Sequence, residues 1–177
     1  MTFTSRLYLD FDGVLNAKDP QHALIKVFSI PIEGSRNLAP VNHITFSPTV
    51  VEVIDYFRTF YNVELVWLST WNDRNDVLKL SSFLKGVEGG RVIEANLNQS
   101  AKNKKEWTQW KADAIIADQK TDPKRFIWVD DNAHRFHGDT VVLEASHVES
   151  LLVTPESLWG LTIDDLNTME AFFNKKN

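Results

Sequence analysis

Short, near-continuous apolar runs recur along the chain, separated by longer stretches in which apolar residues return at helical spacing. The runs are 6–11, 63–68, 91–95, 125–129 and 140–144. The second, fourth and fifth are apolar at nearly every position, as in strands buried on both faces. Between them, Ser47-Pro48 reads as an N-cap with proline at the first helical position, followed by Val50, Val51, Ile54 and Phe57 at helical spacing. Residues 72–84 repeat Val77, Leu78, Leu80, Phe83 and Leu84 behind an Asn or Asp cap, and 104–117 form a third helical stretch. Thr162-Ile163-Asp164-Asp165 has the form of a capping box opening a last helix through Phe173. Strands alternating with helices predict right-handed βαβ crossovers and an all-parallel, five-stranded α/β sheet. Residues 13–46, with Pro20, Pro31, Gly34 and Pro40, read as a flap holding one hairpin, and 96–103 as a polar loop.

Two of the apolar runs end in acids. The first closes as Leu9-Asp10-Phe11-Asp12-Gly13, the fourth as Trp128-Val129-Asp130-Asp131. The two-residue period of a strand points Asp10 and Asp12 to one side where the strand runs out. Carboxylates crowded beside a turn are costly unless a cation or proton lies between them. Acids at the C-terminal ends of two strands therefore predict one pocket at the rim of the sheet, where open α/β folds bind ligands. The second run closes in Ser69-Thr70, and several lysines precede the fourth. Each part has a plain alternative: a turn for the first acidic motif, helix caps for the other two. Their order along the chain favours a site.

Length and charge narrow the field. The chain has 177 residues, which predicts a single domain spanning 1–177. The net charge of −5 speaks against a general nucleic-acid coat. Bases outnumber acids over 102–125, and acids outnumber bases from 126 onward. With no cysteine, thiol catalysis, disulfides and cysteine-bound metals are excluded. No apolar stretch reaches the ~18 residues of a membrane span. The expectation is a cytoplasmic protein with no membrane partner.

In this order the motifs resemble those of the haloacid dehalogenase-like (HAD) phosphatase superfamily: Asp-x-Asp-x-[Thr/Val], a Ser or Thr closing the second strand, a lysine, and an acidic pair closing the fourth. The resemblance covers residues 6 to about 145. More narrowly, Val66-Trp67-Leu68-Ser69-Thr70-Trp71, Trp128-Val129-Asp130-Asp131 and Gly160-Leu161-Thr162 look like the compact members found in phages and in multi-domain RNA-repair proteins. The resemblance implies a Rossmann-like three-layer sandwich and a Mg²⁺-dependent phosphomonoesterase. It implies Asp10 as nucleophile, Asp12 as general acid and then base, Ser69 on a phosphoryl oxygen, and a lysine that neutralises charge. The metal would take Asp10, the main-chain carbonyl of Asp12 and Asp131, with Asp130 in support. Gly13, Thr70, Trp71 and Asn132 flank these groups and are assigned to the substrate.

Three choices stay open at this stage. Lys111 is preferred over Lys102, Lys104 and Lys105, because one helix, the Asp122-Pro123 turn and a strand fit between it and Asp130. Strand register prefers Ser69 over Thr70 for the phosphate. Trp71 is balanced between core and substrate, whereas Trp67 and Trp128 belong to the core and Trp107 and Trp110 to one helix face. His134 and His137 lack a third ligand and read as surface.

The stretch 13–46 is shorter than the ~50 residues of a small domain, so the core reads as capless with a short flap. An open site suits a phosphate on a large molecule, such as an RNA or DNA end. One departure bears on this: polynucleotide kinase-phosphatases carry Gly-Arg after the motif-two serine, and here Thr70-Trp71 follow. The rival readings are a small-molecule phosphatase or nucleotidase, a receiver-type switch, and a non-catalytic scaffold. Receivers carry their acids in the reverse order, and a scaffold needs neither Asp10 nor Asp12.

Overall fold

The central strand β1 (Ser5–Leu9) is buried at all five positions because a strand lies on each side of it. It pairs in parallel with β2 (Val63–Trp67) and with β4 (Arg125–Val129). The computed structural model describes residues 3–20, 44–93, 104–136, 141 and 147–175. Among these, β3 (Arg91–Val92) lies outside β2 and β5 (Ser150–Val153) outside β4, giving an all-parallel sheet in the order β3-β2-β1-β4-β5.

Strand β1 shows why the alternation matters. Leu7 and Leu9 enter a core beneath α1 (Pro48–Phe60), α2 (Asp76–Ser81) and the C-terminal helix α5 (Ile163–Asn174). Tyr8 enters a second core with Val66, Phe126 and Trp128 beneath α3 (Lys104–Thr121). Helices on both faces complete a three-layer, Rossmann-like α/β sandwich. A one-turn helix, α4 (Ala133–Phe136), follows β4. No described helix is long and apolar enough to cross a membrane.

The end signals behave unequally. Pro48 opens α1, but the Ser47 side chain makes no capping bond. Thr162 and Asp165 form the full reciprocal capping box of α5. The helical stretch expected over 72–84 is broken into a 3₁₀ turn (Thr70–Asn75) and α2. The cause is Asn72, whose amide turns inward to donate to the carbonyls of Trp67 (2.7 Å) and Ile93 (2.9 Å) instead of capping a helix.

The fifth strand is a correction. It is Ser150–Val153 rather than 140–144. Val141, the one described residue of that stretch, is helical and buried. Among the described residues β5 pairs on one side only, three of its four residues are partly exposed, and its apolar signal is weaker. The expected flap falls largely on 21–43 and the polar loop on 96–103, both outside the described residues.

Candidate active site

Strand order reverses between β1 and β4, and in parallel sheets the crevice for ligands opens at such a switch point. Leu9 and Val129 are register partners at the ends of these strands. Asp10 and Asp130 therefore emerge side by side. Backbone bonds fix both: Asp10 N donates to Val129 O (3.0 Å), and Asp130 N donates to Val153 O (3.1 Å).

Lys111, on α3, reaches this point from the opposite layer. Its Nζ donates to Asp10 Oδ2 at 2.5 Å and to Asp130 Oδ2 at 2.6 Å. All three side chains are buried. Burial pushes the Lys111 ammonium down, but the two carboxylates outweigh it and hold the group above the ordinary lysine value. Burial pushes the Asp10 carboxyl up, to about 7; Lys111 opposes the rise and Asp130 adds to it. Of the lysines weighed in the sequence, Lys111 joins the acids. Lys102 and the side chains of Lys104 and Lys105 lie outside the described residues.

The acidic pair divides its work. Both Asp130 oxygens are engaged, Oδ2 by Lys111 and Oδ1 by the backbone N–H of Asn132 at 2.8 Å. Asp131 accepts at Oδ1 from Asn132 Nδ2 (2.5 Å). Gly13 lies against Asp131: a Cβ built there would sit 2.7 Å from Asp131 Cγ, and its φ of +74° is left-handed. Only glycine serves both demands. Asp10, Asp130 and Asp131 offer one carboxylate oxygen each, all within 4.8 Å of one another.

The Asp12 carboxylate stands apart from that triple. Its Oδ1 accepts from Asn16 Nδ2 and its Oδ2 from the indole N–H of Trp71, both at 2.7 Å. Trp71 is buried in the core, and its indole meets Asp12 there. Ser69 is fully buried and its Oγ accepts from Trp71 N at 3.4 Å, while Thr70 borders the pocket. Trp67 and Trp128 are core residues, Trp110 packs against the α3-side core, and His134 is exposed. The side chain of Trp107, and all of His137, lie outside the described residues.

The pocket encloses about 610 Å³ above Asp10, Asp12, Lys111 and Asp131. Gly13, Thr70 and Asn132 border it, as do Asn16, Lys18, Thr45 and Ser157, to which sequence reasoning assigned no role. Asn16 had a readable signal, since it lies four residues after Asp12 across a turn; the others had none. Such a site can hold a cation among its carboxylates and seat an anionic group beside the buried lysine. A scan of family models matches residues 6–166 to the HAD domain in Swiss Army Knife RNA repair proteins. The chain belongs to this family. No curated protein matches it.

A second charged cluster anchors this HAD site from the far end of the sheet. Arg6, buried in β1, pairs with Glu64 (2.6 Å), Asp118 (3.0 Å) and Asp122 (2.8 Å). Arg91 pairs with Glu64 (2.7 Å) and Asp118 (2.8 Å). Burial pushes Asp118 up, but hydrogen bonds from Arg91 and Tyr8 and the charges of both arginines outweigh it and hold the carboxyl below its ordinary range. Asp118 lies on the helix that carries Lys111, so the cluster fixes the position of α3 on the sheet.

Proposed function

We propose that the protein is a Mg²⁺-dependent phosphomonoester hydrolase that works through an aspartyl phosphate and acts on the terminal phosphate of a polynucleotide, an RNA end first of all. The observation that carries this reading is the buried Lys111 ammonium held between Asp10 and Asp130, with Asp131 beside them.

The donor set fits a hard divalent cation. It is all oxygen, and three carboxylates lie close enough to share one ion. Asp10, Asp131 and the main-chain carbonyl of Asp12 would hold Mg²⁺, with Asp130 kept in place by Lys111 and Asn132. When bound, Mg²⁺ supplies positive charge that offsets the repulsion between these carboxylates and a phosphate dianion.

In the proposed reaction the Asp10 carboxylate attacks phosphorus and the ester P–O bond breaks. The leaving oxygen takes a proton from Asp12. Asp12, now a carboxylate, then accepts a proton from the water that attacks the aspartyl phosphate. Inorganic phosphate departs and Asp10 is restored. Lys111 stabilises charge on the phosphoryl group from a largely buried position, where a fixed charge acts more strongly than in solvent. Ser69 and Thr70 donate to phosphoryl oxygens, Thr70 from the pocket wall.

Two observations favour a large substrate. The pocket shares Asp131, Asn132 and Ser157 with a neighbouring cavity of about 450 Å³ that also borders His134 and Leu158, which leaves room beyond the phosphate. The family is that of a domain in RNA repair proteins. The test is a panel of 3′- and 5′-phosphorylated oligonucleotides against mononucleotides, with Mg²⁺. Higher kcat/KM on one class of oligonucleotide end supports the reading, and higher kcat/KM on mononucleotides replaces it with a nucleotidase.

A further inference from the structure

Asp12 is gripped from both sides. Asn16 Nδ2 donates to its Oδ1 and Trp71 Nε1 donates to its Oδ2, each at 2.7 Å. Neither donor is a passing surface group. Trp71 is packed in the main core, 59 positions along the chain from Asp12. Asn16 is held at three further points: its N–H donates to Phe11 O (2.9 Å), its carbonyl accepts from Gly13 N (2.8 Å), and its Oδ1 accepts from Thr45 N (3.1 Å).

From this geometry we infer that Trp71 and Asn16 are positioning residues for proton transfer by Asp12, and that Trp71 acts through Asp12 rather than on the substrate. The inference rests on the role of Asp12 proposed above. A carboxylate on two single bonds would otherwise sweep several rotamers. Two opposed donors stop rotation about its terminal torsion. Each carboxylate oxygen has about two acceptor sites, so each keeps one for the leaving oxygen or the attacking water. The donors also tie Asp12 to the phosphate-binding corner, because Trp71 follows Ser69 and Thr70 directly and its backbone N–H reaches Ser69 Oγ. Acid and phosphate donors therefore share one frame, and misplacement by ~1 Å can cost ~10²-fold in rate.

The test uses leaving groups of different need. A p-nitrophenolate leaves without a proton, whereas the alkoxide of β-glycerophosphate must be protonated as it leaves. The parameter is kcat/KM, which reports steps through the first cleavage and is blind to later hydrolysis of the aspartyl phosphate. Trp71→Phe keeps the ring and removes the donor. Its loss on β-glycerophosphate should exceed its loss on p-nitrophenyl phosphate by ~10-fold or more, part of the ~10²–10⁴ that a positioned acid contributes. Asn16→Ala, which removes the other donor, should show the same selective loss if Trp71→Phe does not fold. In the wild-type protein the Trp71 indole N–H resonance should move on Asp12→Ala substitution. Equal losses of kcat/KM on both esters overturn the inference while leaving the phosphatase reading intact. Absence of turnover by the wild type on every ester overturns the reading beneath it, and an indole resonance indifferent to Asp12→Ala overturns the contact itself.

Discussion

Asp10 and Lys111 lie 101 positions apart in the chain, yet the lysine Nζ sits 2.5 Å from the aspartate Oδ2, both side chains buried at the floor of the pocket. Two elements have to agree for this to happen. The register of β1 with β4 sets the level of Asp10, and the seat of α3 on the sheet sets the reach of Lys111.

Lys111→Ala should lower kcat by ~10²–10³, the usual cost of one transition-state electrostatic contact. It also leaves Asp10 and Asp130 facing each other without a cation, and breaking a buried pair costs about 3–5 kcal/mol. Lys102→Ala, Lys104→Ala and Lys105→Ala should change kcat on a small ester little. Steady-state kinetics and thermal melts of the four variants check both halves.

Mg²⁺ should raise the thermal midpoint of the wild type, since a ligand that binds only the folded state stabilises it. The increment should vanish in Asp131→Asn and survive in Thr70→Ala. Excess EDTA should abolish turnover, with recovery on adding Mg²⁺. Scanning calorimetry with and without the ion is the measurement.

Gly13→Ala should fold poorly or lose activity outright. The added methyl both strains a left-handed backbone and overlaps the Asp131 carboxyl. Gly89→Ala is the matched control: Gly89 is also left-handed, at +71°, but nothing lies within 4 Å of its added Cβ. Both variants should lose backbone stability, and only Gly13→Ala should lose Mg²⁺ binding.

How far these features could be read from the sequence depended on whether they were local. The ends of β1 and β4 were legible because strands buried on both faces leave continuous apolar runs, and the acids that interrupt them are conspicuous. The α5 cap was legible because a capping box is a four-residue pattern. Edge strand β5 was not, since partial exposure dilutes its apolar signal and the more apolar 140–144 stretch outcompeted it. The Trp71–Asp12 bond was not legible either: an indole four residues past the end of β2 says nothing of a carboxylate 59 positions away. Arg6 interrupted an apolar run, and only the structure shows the carboxylates that permit its burial.

Stability should fall on acidification through the Arg6–Asp118–Arg91 cluster. The folded-state pKa of Asp118 is depressed, so its contribution is fully present above the unfolded value, about 3.9, and is lost as pH drops through the folded one. Asp118→Asn should therefore be less stable than wild type at neutral pH, and the two should converge at low pH. Urea melts across that range check the sign. Because Asp118 also seats α3, Asp118→Asn should lower kcat modestly through Lys111.

The central claim is that Asp10 carries the phosphoryl group. The most direct measurement is a rapid quench of the wild type during turnover of a phosphorylated oligonucleotide with Mg²⁺, followed by borohydride reduction and peptide mass analysis. An aspartyl phosphate is reduced to homoserine, so residue 10 should be found converted, with no conversion without substrate and none in Asp10→Asn, which should also release no phosphate. Steady phosphate release by Asp10→Asn, or turnover by wild type with label trapped on another residue, would contradict the account.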